Sequence, residues 1–129
     1  MVKSKKKSKR RHQRQPVTIA ALKHAVEGRN AGALAKMYAE DAVMQVIDHD
    51  NPPSSPRKLE GKTAILAYFN DVCGRDMTHK IDFGISKSNR LAFMQCCVYP
   101  DGMRVYCSAI AVLNKGKIAR QTVVQAWDS

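Results

Sequence analysis

Asp48 and His79 form the one acid–base pair in this chain that residue type recommends. A carboxylate that orients an imidazole makes a proton acceptor poised near neutral pH. His49 and Asp50 sit beside Asp48 and dilute that signal. The cysteines Cys73, Cys96, Cys97 and Cys107 are the other reactive groups. A thiol attacks only as the thiolate, which needs a nearby cation or a helix N-terminus. Neither is evident around Cys97 or Cys107. No CxxC occurs and no His spacing completes a zinc site, so neither metal nor cofactor is called for. Four thiols in 129 residues do not make a disulfide scaffold. They read as reduced core residues of a cytoplasmic protein.

The elements that must position these groups follow from periodicity. Pro16–Arg29 predicts a helix with Ile19, Leu22, Ala25 and Val26 at helical spacing. Asn30-Ala31-Gly32 breaks it, and Ala33–Ala39 predicts a second short helix carrying Leu34, Met37 and Tyr38. Ala42–Asp48 has the β-branched content of a strand. His49–Pro56 holds Pro52, Pro53 and Pro56, which fix extended and turn conformations. Gly61–Val72 predicts a third helix with a broad apolar stripe that includes Ile65, Tyr68 and Phe69. Thr78–Lys87 alternates, with His79, Ile81, Phe83 and Ile85 on one face. Arg90–Tyr99 and Met103–Leu113 flank the hairpin turn Tyr99-Pro100-Asp101-Gly102. Asn114-Lys115-Gly116 turns the chain into a last strand, Lys117–Trp127.

The order α-α-β-α-β-β-β-β predicts an α+β cone, three N-terminal helices on a curved antiparallel sheet. The central strands are apolar on both faces, so a second copy is expected to cover the outer one, giving a homodimer. The chain length suits one domain, spanning residues 16–129. No apolar run approaches the roughly 20 residues of a membrane span, so no membrane partner is expected. Of the net charge of +11, residues 1–15 hold eight Lys and Arg and no acid. Such density predicts a disordered basic tail, with a non-specific nucleic-acid contact through residues 3–14 or simply a solvated arm.

The stretches Met37-Tyr38-Ala39-Glu40-Asp41-Ala42-Val43, Leu59-Glu60-Gly61-Lys62 with Ala64-Ile65, and Gly116-Lys117-Ile118 with Gln121 to Trp127 carry a resemblance. Their order and spacing resemble the SnoaL-like branch of the nuclear transport factor 2-like superfamily. That superfamily holds ketosteroid isomerases, polyketide cyclases and limonene epoxide hydrolases. More narrowly, Val46 to Ser54, Cys73 to His79 and Tyr99 to Gly102 are similar to a bacterial subgroup with no assigned reaction. The resemblance covers residues 17–128 and implies a cystatin-like cone with an internal cavity. It implies that the isomerase's general base falls on Val46, its oxyanion Tyr on Leu22 and its protonated Asp near Ala109. A cyclase acid or base falls near Val123. All four are apolar, so those mechanisms are not expected.

The resemblance also puts one face of the meander on the cavity. Alternation then places Phe93, Gln95, Cys97, Val105, Cys107 and Ala109 there, with Ala119, Gln121, Val123, Gln125 and Trp127 from the last strand. Met44, Val46 and Asp48 join from the first strand, and Tyr38 and Tyr68 from the helices. The expected ligand contacts are Tyr38, Val46, Tyr68, Gln95, Cys107, Gln121, Gln125 and Trp127, with Asp48 and His79 as the acid–base candidates. Two functions stay open. One is an apolar pocket that binds or converts a small hydrophobic oxygenated molecule, such as a polyketide or steroid-like compound. The other is a non-catalytic dimeric module tethered by its basic tail to nucleic acid or an acidic partner.

Overall fold

The computed structural model describes residues 16–128, and the expectations for the basic segment 1–15 lie outside the described residues. Helix α1, Ile19–Glu27, starts where Thr18 caps it, its hydroxyl accepting from the Ala21 amide at 3.1 Å. It buries Leu22, Ala25 and Val26. Helix α2, Ala31–Ala35, is capped by Asn30, whose side chain accepts from the Ala33 amide at 3.0 Å. Strand β1 spans Tyr38–Ile47 and strand β2 Arg57–Glu60; helix α3 spans Lys62–Gly74. A meander follows: β3 Thr78–Lys87, β4 Arg90–Val98, β5 Arg104–Asn114 and β6 Lys117–Trp127.

Three expectations change. The second helix ends early and Tyr38 opens β1 instead of closing a helix, because the Ile118 amide donates to the Met37 carbonyl at 2.8 Å and draws this segment into the sheet. The short strand β2 is added before α3, pairing Arg57 with Val46 through Glu60 with Val43. It contains no proline and lies at an edge, where one unpaired side is tolerated. The sheet, ordered β2-β1-β6-β5-β4-β3, is mixed, since β1 runs parallel to β6. The whole intervening chain serves as the long crossover a parallel pair requires.

The expected Phe83–Ile85 face is also corrected. Ile81 pairs with Gln95 but Phe83 pairs with Met94, so Asp82 is an extra residue in β3. Beyond this bulge the alternation inverts. His79 and Ile81 point inward and are buried, whereas Phe83 and Ile85 are exposed. Gly84 takes the inner position instead. A Cβ there would stand 2.8 Å from the Ile19 side chain, so the missing side chain is what lets α1 lie close on β3.

The hairpin forms as its turn residues dictate. Tyr99 donates to the Met103 carbonyl at 2.9 Å, and Gly102 adopts φ 91°. This sets Cys97 opposite Val105, Gln95 opposite Cys107 and Phe93 opposite Ala109. The core fills the concave side, where Leu22, Met44, Ile65, Leu91 and Ile118 are almost fully buried. The convex side leaves Tyr106, Ile110 and Val124 exposed on β5 and β6.

Candidate functional site

The helices do not fill the concave side completely. A cavity of about 140 Å³ remains between α1, α3 and the sheet. Its wall is largely apolar: Leu22, Met44, Val46, Phe69, Phe93, Val105 and Ala109 all border it. The ten contact and acid–base candidates from the sequence border it too, but Ala119 does not: it is the extra residue where β6 shifts register against β5, and Ile118 is buried instead. The ten candidates divide into groups with different partners.

Tyr38 and Gln121 are committed to each other. The buried Tyr38 hydroxyl donates to Gln121 Oε1, and burial pushes its ionisation far above the ordinary tyrosine range. Gln121 spends its carbonyl in this bond and keeps its amide –NH2 as a donor. A second chain runs toward the mouth. Trp127 Nε1 donates to Gln125 Oε1 at 3.1 Å, and Gln125 Nε2 lies 3.4 Å from the Tyr68 hydroxyl. Burial pushes Tyr68 up to about 12, so it stays a neutral phenol with its own proton to donate. The Arg57 guanidinium stacks over the Tyr68 ring, 5.4 Å from its centre. Arg75 donates to the Tyr99 hydroxyl at 3.2 Å and to Asp71 at 2.7 Å. Sequence reasoning singles out neither arginine as a site residue. Only the β2 strand and the α3 C-terminus bring them to the cavity.

No hydrogen bond joins Asp48 to His79 among the described residues. Asp48 Oδ1 instead accepts from the Asp50 amide at 3.0 Å, the Asn51 amide at 2.8 Å and Asn51 Nδ2 at 2.9 Å. It folds the proline-rich loop back on itself. His79 faces its cross-strand partner: Nδ1 lies 3.1 Å from Cys97 Sγ. Gln95 Nε2 lies 3.2 Å from the same sulfur and 3.4 Å from the same nitrogen. His79 is 6% exposed, and its Nε2 is buried with no hydrogen-bond partner among the described residues.

No local pattern sets His79 beside Cys97, because the pairing depends on the bulge. Counting back from the Lys87–Arg90 end without it would set His79 opposite Val98. With it, His79 meets Cys97. The Cys97 thiol is pulled well below its usual range by the neighbouring Cys107 thiol, helped by His79 and Gln95, against the opposing pull of burial. Cys107 is driven the other way by Cys97 and by burial, so it keeps its proton. Among the described residues no cluster of three or more His, Cys, Asp and Glu groups could hold a metal ion. No helix there is long and apolar enough to cross a membrane.

A cone of this kind, helices clasped by a curved mixed sheet, has close counterparts among solved structures. An NTF2-like protein of unknown function from Burkholderia xenovorans superposes with a TM-score of 0.69 at 18% identity, over 86% of this chain and 80% of that one. The chain has the NTF2-like fold. A Kribbella flavida protein provisionally assigned as a ketosteroid isomerase gives 0.67 at 16% identity, over 85% of this chain and 74% of that one. IdmH from Streptomyces antibioticus, provisionally assigned as a polyketide cyclase, gives 0.61 at 19% identity, over 83% and 88%. No family model matches the sequence, and no curated protein matches it. Identities this low carry the NTF2-like fold and no reaction. Leu22, Val46, Ala109 and Val123, the positions that the resemblance assigns to isomerase and cyclase catalysis, all border the cavity. None can accept or donate a proton there, so a carboxylate-driven isomerisation has no base at its usual place.

Proposed function

We propose that this chain binds a compact hydrophobic molecule bearing a carbonyl or hydroxyl oxygen inside its cone. The observation that supports this reading is His79 Nε2, a polar atom buried without a partner among the described residues, on a side chain that borders an apolar cavity. Leaving such an atom unpaired costs about 1–3 kcal/mol, which a ligand oxygen or donor would remove. The volume narrows the ligand. About 140 Å³ is well under the roughly 300 Å³ at which drug-sized sites begin, so one ring or a short branched chain fits better than a steroid.

A thermal-shift screen of the full chain with cyclic ketones, phenols, lactones and short fatty acids tests this. Ligand at about 100 times its Kd adds roughly 2.7 kcal/mol, a Tm rise of several degrees for a domain of this size. The Ala109→Leu variant, which fills the cavity, is expected to fold and to lose the shift. No shift with any class, or an equal shift in Ala109→Leu, would overturn the reading.

The cone is proposed to work as a homodimer. Tyr106, Ile110 and Val124 put large apolar surface on adjacent strands of the convex face, which is the continuous kind of patch that a second copy covers. Sedimentation of the full chain is expected to give a dimer, and Ile110→Glu with Val124→Glu a monomer that keeps its circular dichroism. A wild-type monomer at tens of micromolar would remove this proposal.

A further inference from the structure

We infer that Cys97 is a nucleophile and His79 its proton relay, and that together they form a covalent adduct with a small α,β-unsaturated carbonyl compound in the cavity. The inference rests on the ligand site proposed above and adds the class of molecule and its chemistry. Four observations converge. Cys97 Sγ borders the cavity and lies 3.1 Å from His79 Nδ1, close enough for direct proton transfer. Gln95 Nε2, 3.2 Å from the sulfur, is a donor that favours the thiolate. Cys107 stands on the neighbouring strand opposite Gln95, and together with His79 and Gln95 it pulls Cys97 toward ionisation. On its other side the His79 ring presents Nε2, buried and unpartnered.

This orphan atom gives the pair its direction. Nδ1 can accept the Cys97 proton only when the neutral ring carries its hydrogen on Nε2, so the imidazolium that forms keeps an N–H donor there. That donor has no protein acceptor among the described residues, which leaves it for an oxygen of the ligand. The Cys97 lone pair forms the S–C bond at the β-carbon. The C=C π pair shifts to give an enolate, whose oxygen takes the Nε2–H hydrogen bond. The imidazolium then returns a proton to the α-carbon. Thiol and enone become a β-thioether ketone, with no oxidant or reductant consumed. An enone of one ring suits both the cavity volume and its apolar walls.

Cyclohex-2-en-1-one is the probe, and peptide mass spectrometry of the reduced full chain is the readout. Expected is one adduct on Cys97, formed faster than on Cys73 or Cys96, and slowed about a hundredfold by His79→Gln. Saturated cyclohexanone, which cannot form the adduct, is expected to raise Tm and to protect Cys97. If His79→Gln fails to fold, this protection and the preference for Cys97 over Cys73 and Cys96 still decide the matter. A cyclohexanone shift with no Cys97 adduct would overturn the nucleophile and leave the binding reading standing. No shift and no protection would remove the binding reading, and the inference with it. Labelling of Cys97 at the pace of Cys73 and Cys96 would also overturn the inference.

Discussion

Tyr38→Ala is expected to lower the unfolding free energy by about 3–5 kcal/mol, the range for a buried aromatic removed from a core. Tyr38 is 2% exposed, and its ring packs on Phe69 with centres 5.6 Å apart. Tyr38→Phe keeps the ring and removes only the donor. It is expected to cost about 1–3 kcal/mol, because Gln121 Oε1 loses its partner in a buried place. Gln121→Leu should cost a similar amount by orphaning the hydroxyl. The double variant Tyr38→Phe with Gln121→Leu leaves neither atom stranded and should recover most of the loss, giving a coupling of about 1 kcal/mol or more. Urea titration followed by circular dichroism measures all four proteins. Strict additivity would mean that the two groups do not depend on each other. The Tyr38 hydroxyl would then be available to a ligand, as the sequence suggests, and the bond to Gln121 would not be what fixes it.

The contrast between Tyr38 and His79 shows what a sequence can and cannot carry. Strong local signals survive folding. Pro100 and Gly102 specify the hairpin, and with it the register that faces Gln95, Cys97, Cys107 and Ala109 into one cavity. Lys117–Trp127 is a strand at the residues its alternation marks. Local signals fail where a distant partner decides. Tyr38 has a helix-like neighbourhood in sequence, yet β6 recruits it into the sheet. Arg57–Glu60 is too short and charged to read as a strand without β1 beside it. Asp82 bears no mark of a bulge, though that one extra residue turns Phe83 outward and brings His79 onto Cys97. Chemical type pairs Asp48 with His79, but type says nothing of the Asn51 amides that claim Asp48 first. The cavity was thus legible from alternation and resemblance together. Its reactive corner was not, because it hangs on a register shift.

The second large effect concerns the pH profile of Cys97. Iodoacetamide alkylation of an ordinary thiol rises about tenfold per pH unit until its pKa near 8.5. In the folded chain Cys97 ionises well below the usual thiol range, so the thiolate is already formed at neutral pH and is lost only as pH falls through that lower value. The titratable neighbours in the wall are His79 on β3, Cys107 on β5, Tyr38 on β1 and Tyr68 on α3, with Asp48, Arg57 and Arg75 nearer the mouth. Neither tyrosine ionises in the working range, and Cys107 keeps its proton through it. The expected profile between about pH 6.5 and 8.5 is therefore nearly flat for Cys97, while the same cysteine in urea-unfolded chain climbs by about fiftyfold. The absolute rate at pH 7 decides nothing, since a thiolate of low pKa is also a weaker nucleophile, by roughly half a decade per unit. The shape of the curve decides. Removing donors in Gln95→Leu or His79→Gln should restore a slope, and the size of each restored slope ranks the donors. A steep wild-type profile would mean that the hydrogen bonds on Cys97 Sγ do not outweigh its burial, and Cys97 would then be an inert core thiol like its neighbour Cys107.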